Sequence, residues 1–187
     1  PQISTTKLTF MPNVQKHLLV DGWNAIRSDQ EMSQVFSTKG QEVAKKILAS
    51  KLSKIHDAFN YRVTIVYDGR GDDITVERIG LSLTFSEVYT PSNMSADDFI
   101  EQMCATSKNP KLLVVASDDN LIRLTAMTFG VESLTSEQLL QWASSASSHV
   151  GERFAILKSE LRQEWKQASS IAGVEFKVLK PRKRKKK

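Results

Sequence analysis

Cysteine is nearly missing from this chain of 187 residues, where Cys104 stands alone. No internal disulfide framework can form, nor a zinc site built on several thiolates. Histidine is scarce as well. His17, His56 and His149 share neither HxxxH nor HxH spacing, which argues against a histidine-built metal centre. No apolar run approaches the roughly 18 residues of a membrane span. The polar stretch from Pro1 to Gln15 has no signal-peptide core. The expectation is an intracellular, cytoplasmic protein without membrane contact, an organellar location after removal of a leader being the alternative. The phosphate loop GxxxxGK[ST] is absent, and Gly69-Arg70-Gly71 lacks the third glycine of a dinucleotide loop. No Ser-His-Asp or Cys-His arrangement is legible, and Cys104, on an amphipathic stretch, reads as core.

What remains is an ordinary globular composition, 40% hydrophobic and 25% charged, long enough for one domain with a real core. The net charge of +5 is unevenly spread. Lys180, Arg182, Lys183, Arg184, Lys185, Lys186 and Lys187 carry seven positive charges; taking those seven from +5 leaves −2 for everything before them. A basic arm on a slightly acidic body suggests an electrostatic attachment to a domain with its own chemistry. The expected organisation is an N-terminal arm over 1–16, a domain over 17–179 and a disordered basic tail over 180–187.

Short β-rich runs alternate with helical patterns. His17 to Asp21, Arg62 to Asp68 and Leu112 to Ala116 are apolar on both faces, as in a covered parallel sheet, while Leu83 to Tyr89 alternates like a more exposed strand. Val131 to Leu134 reads as a short strand and Val174 to Leu179 as a late edge strand. Helices are expected over Asp29–Val35, Gln41–Phe59, Ser95–Thr106, Asn120–Phe129, Thr135–Trp142 and Glu152–Ala168. Capping boxes are spaced at Ser28/Glu31, Thr38/Gln41, Ser95/Asp98 and Thr135/Gln138. The fold class is α/β: a central, mainly parallel sheet with helices on both faces.

Three apolar runs stop in the same way, at Val20-Asp21, Tyr67-Asp68 and Ser117-Asp118. In an open parallel sheet the ligand edge lies outside the carboxyl ends of the strands, so three strands would each deliver an acid there. Each acid alone has a bland reading, as a helix cap or turn residue. Together they repel one another, and a divalent oxygen-seeking cation removes that penalty. Such an ion can orient a water and neutralise charge on a phosphate. Asp98 is assigned mainly to capping and Asp97 to ligation; Asp119 reads as a first-turn acid, with Asp118 nearer the strand end. Asn24 could hold a carboxylate or shape a turn, and Ser117 could support the site or cap a helix.

The segments Leu18-Leu-Val-Asp-Gly-Trp-Asn24, Val63-Thr-Ile-Val-Tyr-Asp-Gly69, Ser95-Ala-Asp-Asp-Phe-Ile100 and Val114-Val-Ala-Ser-Asp-Asp119 together resemble the NYN branch of the PIN-like nucleases, and within it the YacP-like group. The resemblance spans about Leu18 to Leu140, and Trp23 replaces the group's usual tyrosine. It implies a PIN-like three-layer α/β fold and a metal-dependent endoribonuclease. Asp21, Asp68, Asp97 and Asp118 would hold Mg²⁺ or Mn²⁺ and serve catalysis, with Asn24, Ser117, Asp98 and Asp119 in support. It also implies RNA as partner, single-stranded and potentially ribosome-associated. The other reading is a catalytically weak RNA- or ribosome-binding module that keeps the fold. The oligomeric state is not legible.

An anionic substrate facing acids needs flanking cations. Arg70 and Arg123 are the candidates, each with a solvated surface role as the bland alternative. Trp23 could stack a base or pack in the core, the core being favoured, whereas Trp142 and Trp165 read as packing. Lys180, Arg182, Lys183, Arg184 and Lys185 would contact RNA phosphates with strong salt dependence and little sequence preference. A targeting signal would look the same.

Overall fold

A computed structural model describes residues 15–147, together with Ser159 and Gln163. Residues 1–14, the expected strand over 174–179, most of the expected helix over 152–168, Trp165 and the basic tail fall outside the described residues. The described elements belong to a compact unit that closes at Ser147.

The chain runs β1 (His17–Asp21), α1 (Gly22–Ser28), α2 (Gln30–Lys39), α3 (Gln41–Phe59), β2 (Arg62–Asp68), β3 (Thr75–Arg78), β4 (Phe85–Thr90) and α4 (Ala96–Thr106). A 3₁₀ turn, Pro110–Leu112, then leads into β5 (Leu113–Ala116), α5 (Asn120–Thr128), β6 (Glu132–Leu134) and a helix, α6, over 136–147. The six strands form one sheet in the order β3-β4-β2-β1-β5-β6, parallel except for β3. Helices lie on both faces, so the α/β class and the mostly parallel sheet stand as expected. No helix among the described residues is long and apolar enough to cross a membrane.

The core explains the central strands. Leu18, Leu19, Val20, Val63, Ile65, Val66 and Val115 are wholly buried. Because successive side chains alternate, Leu19, Val66 and Val115 face Ile100 of α4 and Ile122 of α5, in a cluster that also takes in Cys104. Burial pushes the Cys104 thiol up to about 11, which fits a packing role. Trp142 packs against Phe59 and Tyr61, and Trp23 sits edge-on to Phe36 and 4.8 Å from Tyr67.

Two helix starts differ from the expected capping boxes. Asp29, not Ser28, caps α2 by accepting from Met32 N–H at 2.8 Å, while Ser28 Oγ donates back to Ala25. Thr38 lies inside α2 and donates to Gln34, so α2 runs four residues beyond the expected Val35 and α3 begins from Gly40 with no side-chain cap. The Ser95/Asp98 and Thr135/Gln138 boxes form as spaced. β3 was not foreseen: all four of its residues are exposed, and only antiparallel pairing with β4 defines it.

Candidate active site

The connection order places a crevice at the carboxyl ends of the strands. From central β1 the chain moves outward through β2 and β4, then returns to the other flank as β5 and β6. Such a reversal splits the loops at the strand ends and opens a ligand crevice.

Asp21 ends β1 and caps α1, accepting from Asn24 N–H at 3.1 Å. The Asn24 amide donates to the second Asp21 oxygen at 2.6 Å and to Ser117 Oγ at 3.3 Å, and so bridges β1 to the end of β5. Ser117 is fully buried, and its Oγ also accepts from Asp119 N–H at 3.1 Å. Asn24 and Ser117 therefore link the Asp21 carboxylate to the end of β5.

Asp68 ends β2 and accepts from Ala96 N–H at 2.8 Å, tying that strand to the first turn of α4. The same turn carries Asp97, close enough to Asp21 for each carboxyl to perturb the other. Asp98, one residue on, closes its capping box with Ser95. The two neighbouring acids thus divide as expected, Asp97 inward and Asp98 to the cap.

The electrostatics of this edge are uncompensated. Burial, with Asp97 and Asp68 nearby, pushes the Asp21 carboxyl up to about 6 despite the Asn24 N–H and the Arg27 cation. Asp97 is likewise raised, by burial first and then by Asp119 and Asp68. Asp118 and Asp119 are placed differently from the sequence expectation. Asp118 accepts from Ser136 N–H at 2.8 Å at the start of α6, whereas Asp119 caps α5 and faces Asp97 electrostatically. The structure thus brings together Asp21, Asp68, Asp97 and Asp119, and aims one oxygen of Asp118 at α6.

Oxygen donors alone, all carboxylate, suit Mg²⁺ or Mn²⁺ rather than a softer ion. Among the described residues, no group of three or more His, Cys, Asp or Glu side chains is gathered closely enough to chelate an ion as they now lie. Burial first, and the neighbouring carboxylates second, raise Asp21 and Asp97, and a cation at this edge would offset both. The donor set therefore fits.

The glycines of both Asp-Gly pairs have a steric cause. A Cβ on Gly22 would stand 2.2 Å from the Tyr67 ring, and one on Gly69 would stand 2.1 Å from the Thr90 carbonyl oxygen. Each glycine lets an acid-bearing strand end approach its neighbour. Of the expected cations, Arg70 is exposed in the loop after β2, and Arg123 hydrogen-bonds Asn120 within its own helix. Arg27 was missed, although its position three residues after Asn24 puts both on one helical face.

This α/β scaffold, with acids along the carboxyl edge of a mostly parallel sheet, is of the PIN-like nuclease type. The chain belongs to the YacP-like NYN domain family, whose match covers residues 18–183. Two crystal structures of Rae1 (YacP) from Bacillus subtilis share the fold. One, a mutant, has TM-score 0.63 and 20% identity, with 81% of this chain and 89% of that chain covered. The other has TM-score 0.62 and 21% identity, covering 84% and 90%. No curated protein matches the chain by sequence.

Proposed function

We propose that the protein is a metal-dependent endoribonuclease that hydrolyses phosphodiester bonds of single-stranded RNA at the carboxyl edge of its sheet. The observation that carries this reading is the convergence of Asp21, Asp68, Asp97 and Asp119 from three strand ends and a helix start, with Asp21 pushed up to about 6. Family membership agrees with nuclease chemistry.

Asp21, Asp68 and Asp97 are the residues that would hold the ion, with Asp119 or Asp118 completing the set. When bound, Mg²⁺ or Mn²⁺ would neutralise the carboxylates, offset charge developing on the phosphate and orient a water for in-line attack. Asn24 holds the Asp21 carboxylate in place and fixes the β1–β5 crevice through Ser117. Asp68 is oriented by the α4 backbone. Arg27 and Arg70 supply positive charge beside the acids for the substrate phosphates, and the tail cations Lys180 to Lys185 add sequence-independent attachment. RNA carried by the ribosome is a candidate substrate.

Cleavage of labelled single-stranded RNA with Mn²⁺ or Mg²⁺ tests the reading. Activity should need the ion and vanish in Asp21→Asn and Asp68→Asn while RNA binding persists. Products should carry 5′-phosphate and 3′-hydroxyl ends; a 2′,3′-cyclic phosphate would overturn the hydrolytic mechanism. Equal binding with no cutting by any version would leave the RNA-binding module.

A further inference from the structure

The face of the sheet that carries Asp21 and Asp68 is only partly roofed. α4 lies over β1, β2 and β4 and α5 over β5 and β6, whereas β3, at the edge of that face, is exposed among the described residues. Side-chain alternation puts Thr64, Ser86 and Arg78 in one row across β2, β4 and β3, and Val66, Val88 and Val76 in the row above. A groove of about 290 Å³ follows this face. Phe99 and Met103 of α4 form one wall, and Val76 and Leu83 the other. Val76 and Leu83 are 60% and 70% exposed, an apolar surface with no cover among the described residues.

The groove's charge is of one sign. Arg62 and Arg78 line it and none of its lining residues is acidic. His17, also in the lining, is hydrogen-bonded to Thr64 and held down to about 4, so it is neutral at pH 7 and repels nothing. The occupant is therefore anionic and in part apolar. The volume admits a nucleotide unit, and is too narrow for a duplex or for a helix of roughly 10 Å diameter. Position adds a third argument. Thr64 lies four residues below Asp68 on β2, about 13 Å along the strand. Phe99 stands two residues beyond Asp97 on α4.

We propose that the groove between α4 and β3 is a strand-guiding site, in which single-stranded RNA passing the acidic edge lays a base against Phe99, Met103, Val76 and Leu83 and its phosphates against Arg62 and Arg78. The inference rests on the ribonuclease reading and gives that site a direction: the strand runs down the open face of the sheet, away from the β1–β5 crevice. Aliphatic and aromatic surface receives any base, so the groove adds affinity with little sequence preference.

The test is equilibrium binding of fluorescent oligouridylates of increasing length to the full chain in EDTA, across a salt series. The Arg62→Ser/Arg78→Ser double variant is compared with Lys46→Ser/Lys54→Ser, which removes the same charge from α3 on the opposite face. For oligomers long enough to span the groove, each arginine lost should weaken binding on the order of tenfold. It should also lower the salt slope by about 0.7. The shortest oligomers and the α3 variant should show neither change. Unchanged affinity and slope in the double variant, with wild-type binding and cleavage intact, would overturn the groove and leave the nuclease reading standing. A wild-type chain that neither binds nor cuts RNA would remove both.

Discussion

β2 ends between two charged clusters of opposite design. Tyr67 and Asp68 are consecutive and so face opposite sides of the sheet. On the α3 side, the Lys45 ammonium donates to Tyr89 Oη at 2.9 Å, pairs with Glu42 at 2.6 Å and lies over the rings of Tyr89 and Tyr67. Tyr89 in turn donates to Glu87 at 2.6 Å. Opposite charges and rings compensate one another there. On the α4 side, Asp21, Asp97, Asp68 and Asp119 repel one another, with Arg27 as partial relief. One strand end thus carries a cluster that stabilises the fold beside one that costs stability and is kept for another purpose.

The largest effect expected from breaking this contrast is on activity. Asp97→Asn should lower metal-dependent RNA cleavage at least a hundredfold, while Asp98→Asn, altering only a helix cap, should stay within about twofold of the parent. Gel assays of the two variants side by side measure this; equal losses would mean that the division between these neighbours is misread. On the compensated side, Lys45→Met should leave cleavage nearly intact but cost about 2 kcal/mol of stability, because a buried cation holding Tyr89 and Glu42 is lost. Urea titration gives the figure, and a neutral result would mean that the cluster contributes no net stability.

The acidic side predicts a pH dependence of definite sign. The Asp21 carboxyl is raised from 3.8 to about 6, so the folded state holds its proton more tightly than the unfolded chain does. The stability this group adds is whole below about pH 4 and is lost as pH rises through about 6. In metal-free buffer the loss should be about 3 kcal/mol. Asp21→Asn should flatten that window, and thermal melts from pH 4 to about 7 decide it; a parent and variant with parallel curves would rule it out. The smallest effect belongs to Asn24→Ala, which should cost about 1 kcal/mol through the lost bridge to Asp21 and Ser117. It should move the Asp21 titration upward as well, readable by carboxyl NMR; an unmoved titration would count against the bridge.

Much of this arrangement is legible in the sequence. β1 and β2 were bounded as found because their β-branched, apolar runs stop abruptly at an acid. The division of Asp97 from Asp98 followed from the Ser95 box spacing alone. Other features were not legible, for local physical reasons. Ser28 and Asp29 are equally good caps on paper, and only the backbone decides which one turns into α2. β3 has no buried face to leave a pattern and exists through its hydrogen bonds to β4. Asp118 and Asp119 carry the same chemistry one residue apart. Which one faces Asp97 depends on where α5 begins and on Ser136 N–H capturing the other, a contact 18 residues away.

The tight seat of Gly22 against the Tyr67 ring bears on how variation at this edge would be read. In a library covering every position, Gly22 and Gly69 should score as intolerant as the acids beside them. Neither has a side chain to offer a substrate. Their intolerance would report the narrow gap that sets the spacing of the strand ends. A compensating Tyr67→Ala should restore tolerance at Gly22, whereas no second-site change at a side chain can relieve Gly69, whose obstacle is the main chain itself.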